Sequence, residues 1–281
     1  MIVLAKRRRL KKKWKKLILI IITFILIICL GLSIYHVIQY KSEENKINNQ
    51  LDVIDEKIDI EEIDDSENTE VIEQQEEPPK TNPYWDYVNM NLIDVDFQEL
   101  KSINKHTKGW IQVNGTNINY PFVQGYNNEH YLTHTFDGSW NSAGWVFLDY
   151  RNNLSNFNDK NTIIYAHGRL DKTMFGSLKN ILSSGWLNNQ NNYVVKLSTE
   201  YENTLWQVFS VYHIPTTSDY IQTSFKDDSD FESFANMLLN RSAHNFNTTI
   251  SASDRILTLS TCYDKTDKVV LHAKLIKREA K

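Results

Sequence analysis

Apolar and polar positions alternate repeatedly through the C-terminal two thirds of this chain, a pattern that predicts a mainly β structure. Eight segments are rich in branched and aromatic residues and are separated by turn-forming runs such as Asn114-Gly115. They are residues 109–113, 117–123, 144–149, 162–165, 193–198, 205–212, 255–259 and 269–276. About eight strands in a region of roughly two hundred residues predict a barrel or a sandwich.

Three other segments carry apolar residues at helical spacing. We expect a short helix over residues 84–90, which opens the domain, and a second over 173–182. A third is expected over residues 229–239, with a capping box formed by Ser229 and Glu232. The expected fold class is therefore mainly β with peripheral helices.

The N-terminal segment predicts a membrane anchor. Residues 17–38 contain no charged side chain and follow nine basic residues in the tail 1–16. At about 1.5 Å per residue these twenty-two residues span a bilayer core, and the run is longer than the apolar region of a signal peptide. The positive-inside rule places the tail in the cytoplasm. We expect a single-pass protein of the cell membrane with its C-terminal part outside the cell.

Residues 39–81 have a different composition. Between residues 41 and 80 the chain carries fifteen acidic residues and four lysines, so we expect an acidic, solvated linker. A binding role for this acidic run is the alternative. The remaining domain, residues 82–281, carries a formal net charge of only −2, which argues against nucleic acid as a partner.

The strand 255–259 leads into a candidate nucleophile, Cys262. It is the only cysteine outside the apolar N-terminal run, so an extracellular Cys262 has no intramolecular disulfide partner. Such a thiol is either reactive or incidental. A second candidate is His167, which follows the strand 162–165 and lies between the small residues Ala166 and Gly168.

A cysteine paired with a histidine is suited to acyl transfer. The imidazole lowers the pKa of the thiol and later supplies a proton to a leaving amine. The other histidines lie in ordinary contexts, and His272, on the last predicted strand, is expected to be structural. The sequence shows neither the ligand spacing of a metal site nor a glycine-rich phosphate loop, so no metal and no cofactor are expected.

Two motifs and the anchor together resemble the sortases of Gram-positive bacteria. The motifs are Thr258-Leu259-Ser260-Thr261-Cys262 and Tyr165-Ala166-His167-Gly168. The stretches 117–125, 147–152 and 173–175, with a helix before the cysteine strand, resemble class B of that family. The resemblance covers residues 82–281 and implies an eight-stranded β-barrel with an N-terminal helix and a helix in the loop before the cysteine strand.

The resemblance also implies an activity. Sortases are cysteine transpeptidases that cut a C-terminal sorting-signal pentapeptide of secreted proteins after threonine and hold the acyl group as a thioester. They then transfer it to the amine of a cell-wall precursor of the lipid II type. The resemblance thus implies that Cys262 is the nucleophile and His167 the general acid and base.

The chain departs from the family at one expected catalytic position. Sortases carry an arginine at the start of the last strand, where this sequence has Lys268. Lysine keeps the charge but lacks the planar fork that holds two acceptors. Arg255 and Arg278 fit that position poorly, and an ordinary surface role for Lys268 is the alternative.

The resemblance assigns further residues to supporting roles. Asp264 is expected to orient His167, or to cap a turn. The groove that binds the sorting signal is expected to include Leu132, Thr216, Tyr220, Ile221, Ser260 and Thr261. Each of these residues has an ordinary loop or packing role as its alternative.

Two other functions remain open at the level of sequence. One is a sortase that joins pilin subunits through a lysine amine. The other is a membrane-tethered binding module that keeps the fold and has weak or no catalysis, which the lysine at the arginine position favours. The intact pair of Cys262 and His167 argues against the second.

Overall fold

The structure, a computed structural model, describes residues 2–63, 69–72, 84–155, 159–262 and 266–281. Within these ranges the side chains of residues 2–12, Trp85 and Cys262 are outside the description. The chain divides into two compact units, Met1–Asn49 and Gln50–Lys281.

The first unit is helical. Helix α1 runs over Ile2–Lys57 and includes the uncharged residues 17–38. It is the one helix among the described residues that is long and apolar enough to cross a membrane. Its large apolar side chains between Leu17 and Ile38 are exposed, as a lipid-facing surface requires.

The second unit contains the remaining elements, with α1 ending in it. The strands are β1 (Ile60–Ile63), β2 (Thr69–Val71), β3 (Leu92–Val95), β4 (Thr107–Val113), β5 (Asn119–Val123), β6 (Phe147–Leu148), β7 (Asn161–Tyr165), β8 (Val194–Thr199), β9 (Glu202–Pro215), β10 (Ile256–Cys262) and β11 (Asp267–Ala280). The α-helices are α2 (Tyr84–Tyr87), α3 (Phe97–Ile103), α4 (Ser184–Leu187) and α5 (Asp228–Arg241). Short 3₁₀ helices cover His130–Leu132, Gly176–Leu182 and Gln190–Asn192.

Among the described residues, eight strands close into a barrel. Their order is β10-β7-β6-β5-β4-β8-β9-β11, and the antiparallel pairing of β11 with β10 completes the ring. These are the eight strands that the sequence predicts, so the barrel and its strand content are confirmed. Closure leaves no exposed strand edge within the ring.

Apolar burial and satisfied polar groups hold the core together. Three tryptophans are fully buried, and each donates its indole N–H to a nearby oxygen, which removes the cost of burying that donor. The pairs are Trp110 with Asn119 Oδ1 at 2.6 Å, Trp145 with the Pro121 carbonyl at 2.9 Å, and Trp206 with Thr204 Oγ1 at 2.8 Å.

Helix α5 confirms the helix expected before the cysteine strand, although its start differs. Its N-cap is Asp227, whose side chain accepts a hydrogen bond from Asp230 N at 2.9 Å, so the capping box expected at Ser229 is wrong. The helix buries Phe231 and Leu238 in one apolar cluster with residues of β9, β10 and β11, among them Phe209, Ile256 and Val270.

The helix expected over residues 173–182 is shorter than predicted and of the 3₁₀ type. It begins only at Gly176. Met174 has a φ of +52°, a left-handed conformation that cannot be part of a right-handed helix. The apolar spacing of this segment therefore buries Met174 and Phe175 without an α-helix.

His272 of β11 lies at the centre of a buried hydrogen-bond chain, in agreement with a structural role. Its Nε2 lies 2.8 Å from Tyr212 Oη, and its Nδ1 lies 2.9 Å from Thr258 Oγ1. Thr258 donates to Asn161 Oδ1 at 2.6 Å, so Nδ1 of a neutral His272 donates to Thr258 and Nε2 accepts from Tyr212. Burial lowers the pKa of His272 to about 3.

This buried imidazole predicts a loss of stability in mild acid. The unfolded chain protonates His272 below about pH 6.5, whereas the folded protein does so only near pH 3. The free energy of unfolding should therefore fall by about 1.4 kcal/mol for each pH unit below 6.5, from this group alone. Urea unfolding at pH 7 and pH 5 should show a smaller difference in H272Q than in the wild type. Equal differences in both proteins would contradict the assignment.

The acidic segment before residue 82 contains more structure than a solvated linker. Helix α1 continues to Lys57, β1 pairs antiparallel with β3, and β2 pairs with β11. Opposite charges accompany the last pairing, because Arg278 Nη2 lies 2.6 Å from Glu70 Oε2. The boundary at residue 82 stays a prediction, and residues 60–63 and 69–71 add short strands on its N-terminal side.

Candidate active site

Three strands bring the predicted catalytic positions to one end of the barrel. The parallel pairing of β10 with β7 aligns Ser260 with Tyr165, and Thr261 Oγ1 donates to the Ala166 carbonyl at 2.8 Å. Cys262 and His167 each follow this aligned pair by two residues along their own segments. On the other side of β10, Cys262 is the direct cross-strand partner of Lys268 in β11.

His167 is oriented by a backbone carbonyl. Its Nε2 lies 2.8 Å from the oxygen of Leu132. A carbonyl oxygen can only accept, so the proton is on Nε2, and Nδ1 of the neutral ring carries the lone pair that can take a proton. Sequence reasoning expected Leu132 to line the groove and missed this contact of its main chain. Asp264, the expected orienting residue, lies outside the described residues.

The segment that carries Leu132 is itself held in place. Asn127 Oδ1 accepts from the backbone N–H groups of Glu129 and His130, each at 3.0 Å. Gly144, with a φ of +60°, lies against the same segment, and a Cβ there would come within 2.4 Å of the Tyr131 carbonyl oxygen. Only glycine combines this conformation with so close an approach.

Two stacked histidines flank Leu132. The rings of His130 and His134 lie 4.1 Å apart and nearly parallel, and His134 Nδ1 lies 2.8 Å from the His130 carbonyl. Burial, together with the neighbouring His134 and His106, lowers the pKa of His130. His130 is therefore neutral near pH 7, which avoids repulsion within the stack.

Four of the six predicted groove residues lie near the cysteine end of β10. Tyr220 Oη lies 2.9 Å from Ser260 Oγ, and both side chains are buried. Thr261 is buried with its hydroxyl bound to the Ala166 carbonyl, whereas the side chain of Leu132 is exposed. These four residues thus lie near the predicted catalytic positions. The hydroxyls of Ser260 and Thr261 are hydrogen-bonded to Tyr220 and to the Ala166 carbonyl, which holds neighbouring segments of the domain together.

The other two predicted groove residues lie on the loop after β9. Thr216 donates both its backbone N–H and its hydroxyl to the Thr266 carbonyl, at 2.8 and 2.7 Å. Ile221 is half-buried, and its carbonyl accepts from Arg151 Nη2 at 3.0 Å. Thr266 precedes β11, so Thr216 ties this loop to the strand that carries Lys268.

Arg151 is an exposed residue that belongs to a polar cluster around the fully buried Asp149, which sequence reasoning did not assign to the site. Its Nε and Nη2 donate to the two carboxylate oxygens of Asp149, at 2.8 and 2.7 Å. Tyr165 Oη donates to the same carboxylate at 2.9 Å, and so does Asn128 Nδ2. Burial alone would raise the pKa of Asp149, but these hydrogen bonds, chiefly from Arg151, hold it below its usual value. The available signal was the stretch 147–152, which carries part of the class B resemblance.

The described residues contain no group of three or more His, Cys, Asp or Glu side chains arranged to hold a metal ion. They do form a closed β-barrel in which Cys262 pairs with Lys268 at the end of β10, and in which Ser260 pairs with Tyr165, two residues before His167. A nucleophile beside a base and a cation is the arrangement that acyl transfer requires.

Comparison with known proteins gives the same class. A family model described as the Sortase domain matches residues 111–276. Sortase B of Staphylococcus aureus is 37% identical over 185 residues, which cover 64% of this chain and 75% of that protein. Sortase B of Listeria monocytogenes is 35% identical over 197 residues, covering 67% and 77%.

A solved structure, a Staphylococcus aureus sortase B–substrate complex, superimposes with a TM-score of 0.60 at 37% identity, covering 64% of this chain and 84% of that one. The chain therefore belongs to the sortase family, as a class B member, and is a cysteine transpeptidase.

Proposed function

We propose that Cys262 attacks the carbonyl of a threonine in the sorting signal of secreted proteins. The acyl group is held on Cys262 as a thioester and passes to the amine of a cell-wall precursor of the lipid II type. The observation that supports this most is the register of β10, which pairs Cys262 with Lys268 and aligns Ser260 with Tyr165, two residues before His167.

His167 moves the proton in both half-reactions of this proposal. In the first, the sulfur forms a bond to the threonyl carbon, the peptide bond breaks, and His167 protonates the leaving amine. In the second, the incoming amine gives a proton to His167, and the C–S bond breaks to regenerate Cys262. The bond from Nε2 to the Leu132 carbonyl fixes the ring during both steps.

Lys268 is proposed to stabilise the negative oxygen of the tetrahedral intermediates. It is half-buried at the start of β11, opposite Cys262. Arg255 immediately precedes β10, at the end of the strand opposite to Cys262, and pairs with Glu202 at 3.0 Å. Arg278 pairs with Glu70. Neither of these two arginines is placed at the cysteine end of the strand, whereas Lys268 is the cross-strand partner of Cys262.

Replacing Lys268 should reduce turnover without unfolding the protein. K268A is expected to lower the rate of peptide cleavage by a factor on the order of 10²–10³, the effect of losing one oxyanion donor. K268R should hold or raise the wild-type rate because the guanidinium offers two donors. Steady-state cleavage of a sorting-signal peptide measures both.

A matched control for Lys268 is Lys108, which is half-buried in β4 on the opposite side of the barrel. K108A should cleave at the wild-type rate. If K268A also cleaved at that rate, the oxyanion would rest on backbone N–H groups or on another side chain.

Both substrates of the proposed reaction have support among similar proteins. One solved neighbour is a sortase B–substrate complex and another, 37% identical with a TM-score of 0.60, is a sortase B complexed with triglycine. We propose that this chain likewise binds a peptide donor and an amine acceptor.

The proposed layout has four parts. Residues 1–16 form a basic cytoplasmic tail, 17–38 the transmembrane anchor, 39–81 the acidic linker and 82–281 the catalytic domain outside the cell. The exposed apolar surface of α1 supports the anchor, and the basic tail supports the orientation. The catalytic domain would thus meet secreted substrates at the membrane.

The experiment that tests the function is peptide cleavage with a simple amine. Full-length protein in detergent is incubated with a panel of sorting-signal pentapeptides and hydroxylamine. The proposal predicts a hydroxamate that ends in threonine and depends on Cys262. Comparing a lysine amine with a cell-wall precursor amine then separates the pilin-joining alternative. Peptide binding without any cleavage would instead favour the binding module.

A further inference from the structure

The loop of residues 216–222, which follows β9, is fixed on several sides. It carries three of the proposed groove residues and spans the region between β11, α5, β10 and β7. Its contacts are Thr216 with the Thr266 carbonyl, Asp219 with Arg241, Tyr220 with Ser260, the Ile221 carbonyl with Arg151, and the Gln222 carbonyl with Asn161 Nδ2. These contacts come from the barrel, from α5 and from the residue before β11, so the loop is held by the domain itself.

Two of these contacts come from arginines on opposite sides of the loop. Arg241 of α5 donates from Nη1 and Nη2 to the two carboxylate oxygens of Asp219, at 2.9 and 2.6 Å. Arg151 donates from Nη2 to the Ile221 carbonyl at 3.0 Å. Charge-assisted bonds of this kind are stronger than neutral ones, and the planar guanidinium fixes their direction.

Arg151 is held by the barrel rather than by the loop. Its side chain forms a two-pronged pair with the fully buried Asp149, just beyond β6. The same carboxylate accepts from Tyr165, the last residue of β7, whose register partner is Ser260. The guanidinium therefore links the loop carbonyl to the two strand ends that lead to His167 and Cys262.

We propose that Arg151 is a positioning residue that fixes the loop 216–222 against the ends of β7 and β10, so that the peptide groove is preformed. The inference rests on the proposed function, since it concerns the same groove. Arg151 acts through Ile221 and Tyr220, and the reaction itself is left to Cys262 and His167.

A preformed wall affects binding more than chemistry. When only a fraction of molecules holds the competent loop, the apparent dissociation constant for the peptide rises by the inverse of that fraction. Losing the charge-assisted hydrogen bond to Ile221 should lower the equilibrium constant for the competent loop by a factor on the order of ten, and the competent fraction falls by at most that factor. R151M should therefore raise KM for the sorting-signal peptide, by no more than about tenfold, and leave kcat near the wild-type value, because bound peptide restores the loop.

The conservative variant R151K separates positioning from folding. A lysine can still neutralise the buried Asp149 carboxylate, but its single ammonium cannot hold two carboxylate oxygens and the Ile221 carbonyl in one plane. R151K should keep a melting temperature close to that of the wild type and still show a raised KM. This variant carries the test if R151M, with its unpaired Asp149, fails to fold.

Two further arginines supply the comparison. R241M removes the contact on the other side of the same loop and should raise KM in the same way. R278M removes an arginine–carboxylate pair with Glu70 that lies away from the loop, and should leave KM unchanged. A raised KM in R151K with an unchanged KM in R241M would overturn the inference, because Arg151 would then contact the peptide itself.

Hydrogen exchange of the full-length protein without peptide supplies a readout that does not need catalysis. Amides of residues 216–222 should exchange faster in R151K and R241M than in the wild type and R278M. Unchanged exchange together with an unchanged KM would contradict the role of Arg151. Absence of cleavage by the wild type, with faster loop exchange in R151K, would reject the proposed function and leave the positioning of the loop intact.

Discussion

Replacing Cys262 with alanine is expected to abolish peptide cleavage and amine transfer. The variant has no sulfur atom to form the thioester. Removing the catalytic nucleophile lowers kcat by a factor on the order of 10⁶ in other enzymes. C262S should be nearly as inactive, because a serine hydroxyl is far less ionised than a thiol near neutral pH. Release of the threonine-ending product, followed by chromatography, measures the effect.

The fold should survive the change at Cys262. Cys262 is the last residue of β10, and its backbone pairing with Lys268 does not depend on the sulfur. C262A should therefore melt within a few degrees of the wild type. The control is C29A, which removes the cysteine of the apolar helix and should keep full activity. Measurable turnover by a well-folded C262A protein would eliminate Cys262 as the nucleophile.

Replacing His167 with alanine is expected to lower turnover by a factor of about 10²–10⁴, the usual contribution of general acid–base catalysis. The loss has two physical sources. Cys262 loses the base that favours its thiolate, and the leaving amine loses its proton donor. The carbonyl of Leu132 also loses its hydrogen-bond donor, although its position near the surface allows water to replace it.

Thiol alkylation separates these two sources. The rate at which iodoacetamide modifies Cys262 near pH 7 should fall in H167A, which reports the lost base alone. H244A provides the control. His244 lies in the loop after α5 and packs against Tyr193 and Phe246, so its loss should not change the reactivity of Cys262. Wild-type turnover in H167A would mean that another group moves the proton, and His167 would have no catalytic role.

The barrel could be predicted from sequence because each of its strands carries its own local signal. Alternation of apolar residues between turn-forming pairs located all eight strands, and the errors lie at their ends. β9 and β11, for example, extend beyond their predicted limits to Glu202–Pro215 and Asp267–Ala280. The residues at these ends pair with each other because β9 and β11 are neighbours in the ring, which no local pattern reveals.

The acidic segment was harder to interpret because its structure depends on partners far along the chain. β1 (Ile-Glu-Glu-Ile) and β2 (Thr-Glu-Val) are short and lie within a run of acidic residues, and such a run is typical of solvated linkers. Their pairing partners, β3 and β11, supply main-chain hydrogen bonds and the cation of Arg278. Sequence reasoning did not predict helix α3, because this helix has only seven residues after its N-cap, Asp96, which is too short for a clear periodic pattern of apolar residues.

The site followed the same division between local and distant signals. Cys262 and His167 could be proposed from strand-ending motifs, and the pairing of β7 with β10 brings the ends of those two strands together. The contact of His167 with Leu132 uses a main-chain carbonyl thirty-five residues away, so the type of residue 132 carries no signal for it. The role of Arg151 likewise depends on a carbonyl, that of Ile221.

The most direct test of this account is the mass of the acyl-enzyme. Full-length protein is mixed with a sorting-signal peptide that it cleaves, quenched in acid within the first turnovers and analysed intact and after proteolysis. We expect an added mass equal to the fragment ending in threonine, located on Cys262 and removed by hydroxylamine, and none on C262A. An adduct on another residue, or cleavage by the wild type with no adduct at any time, would contradict the account.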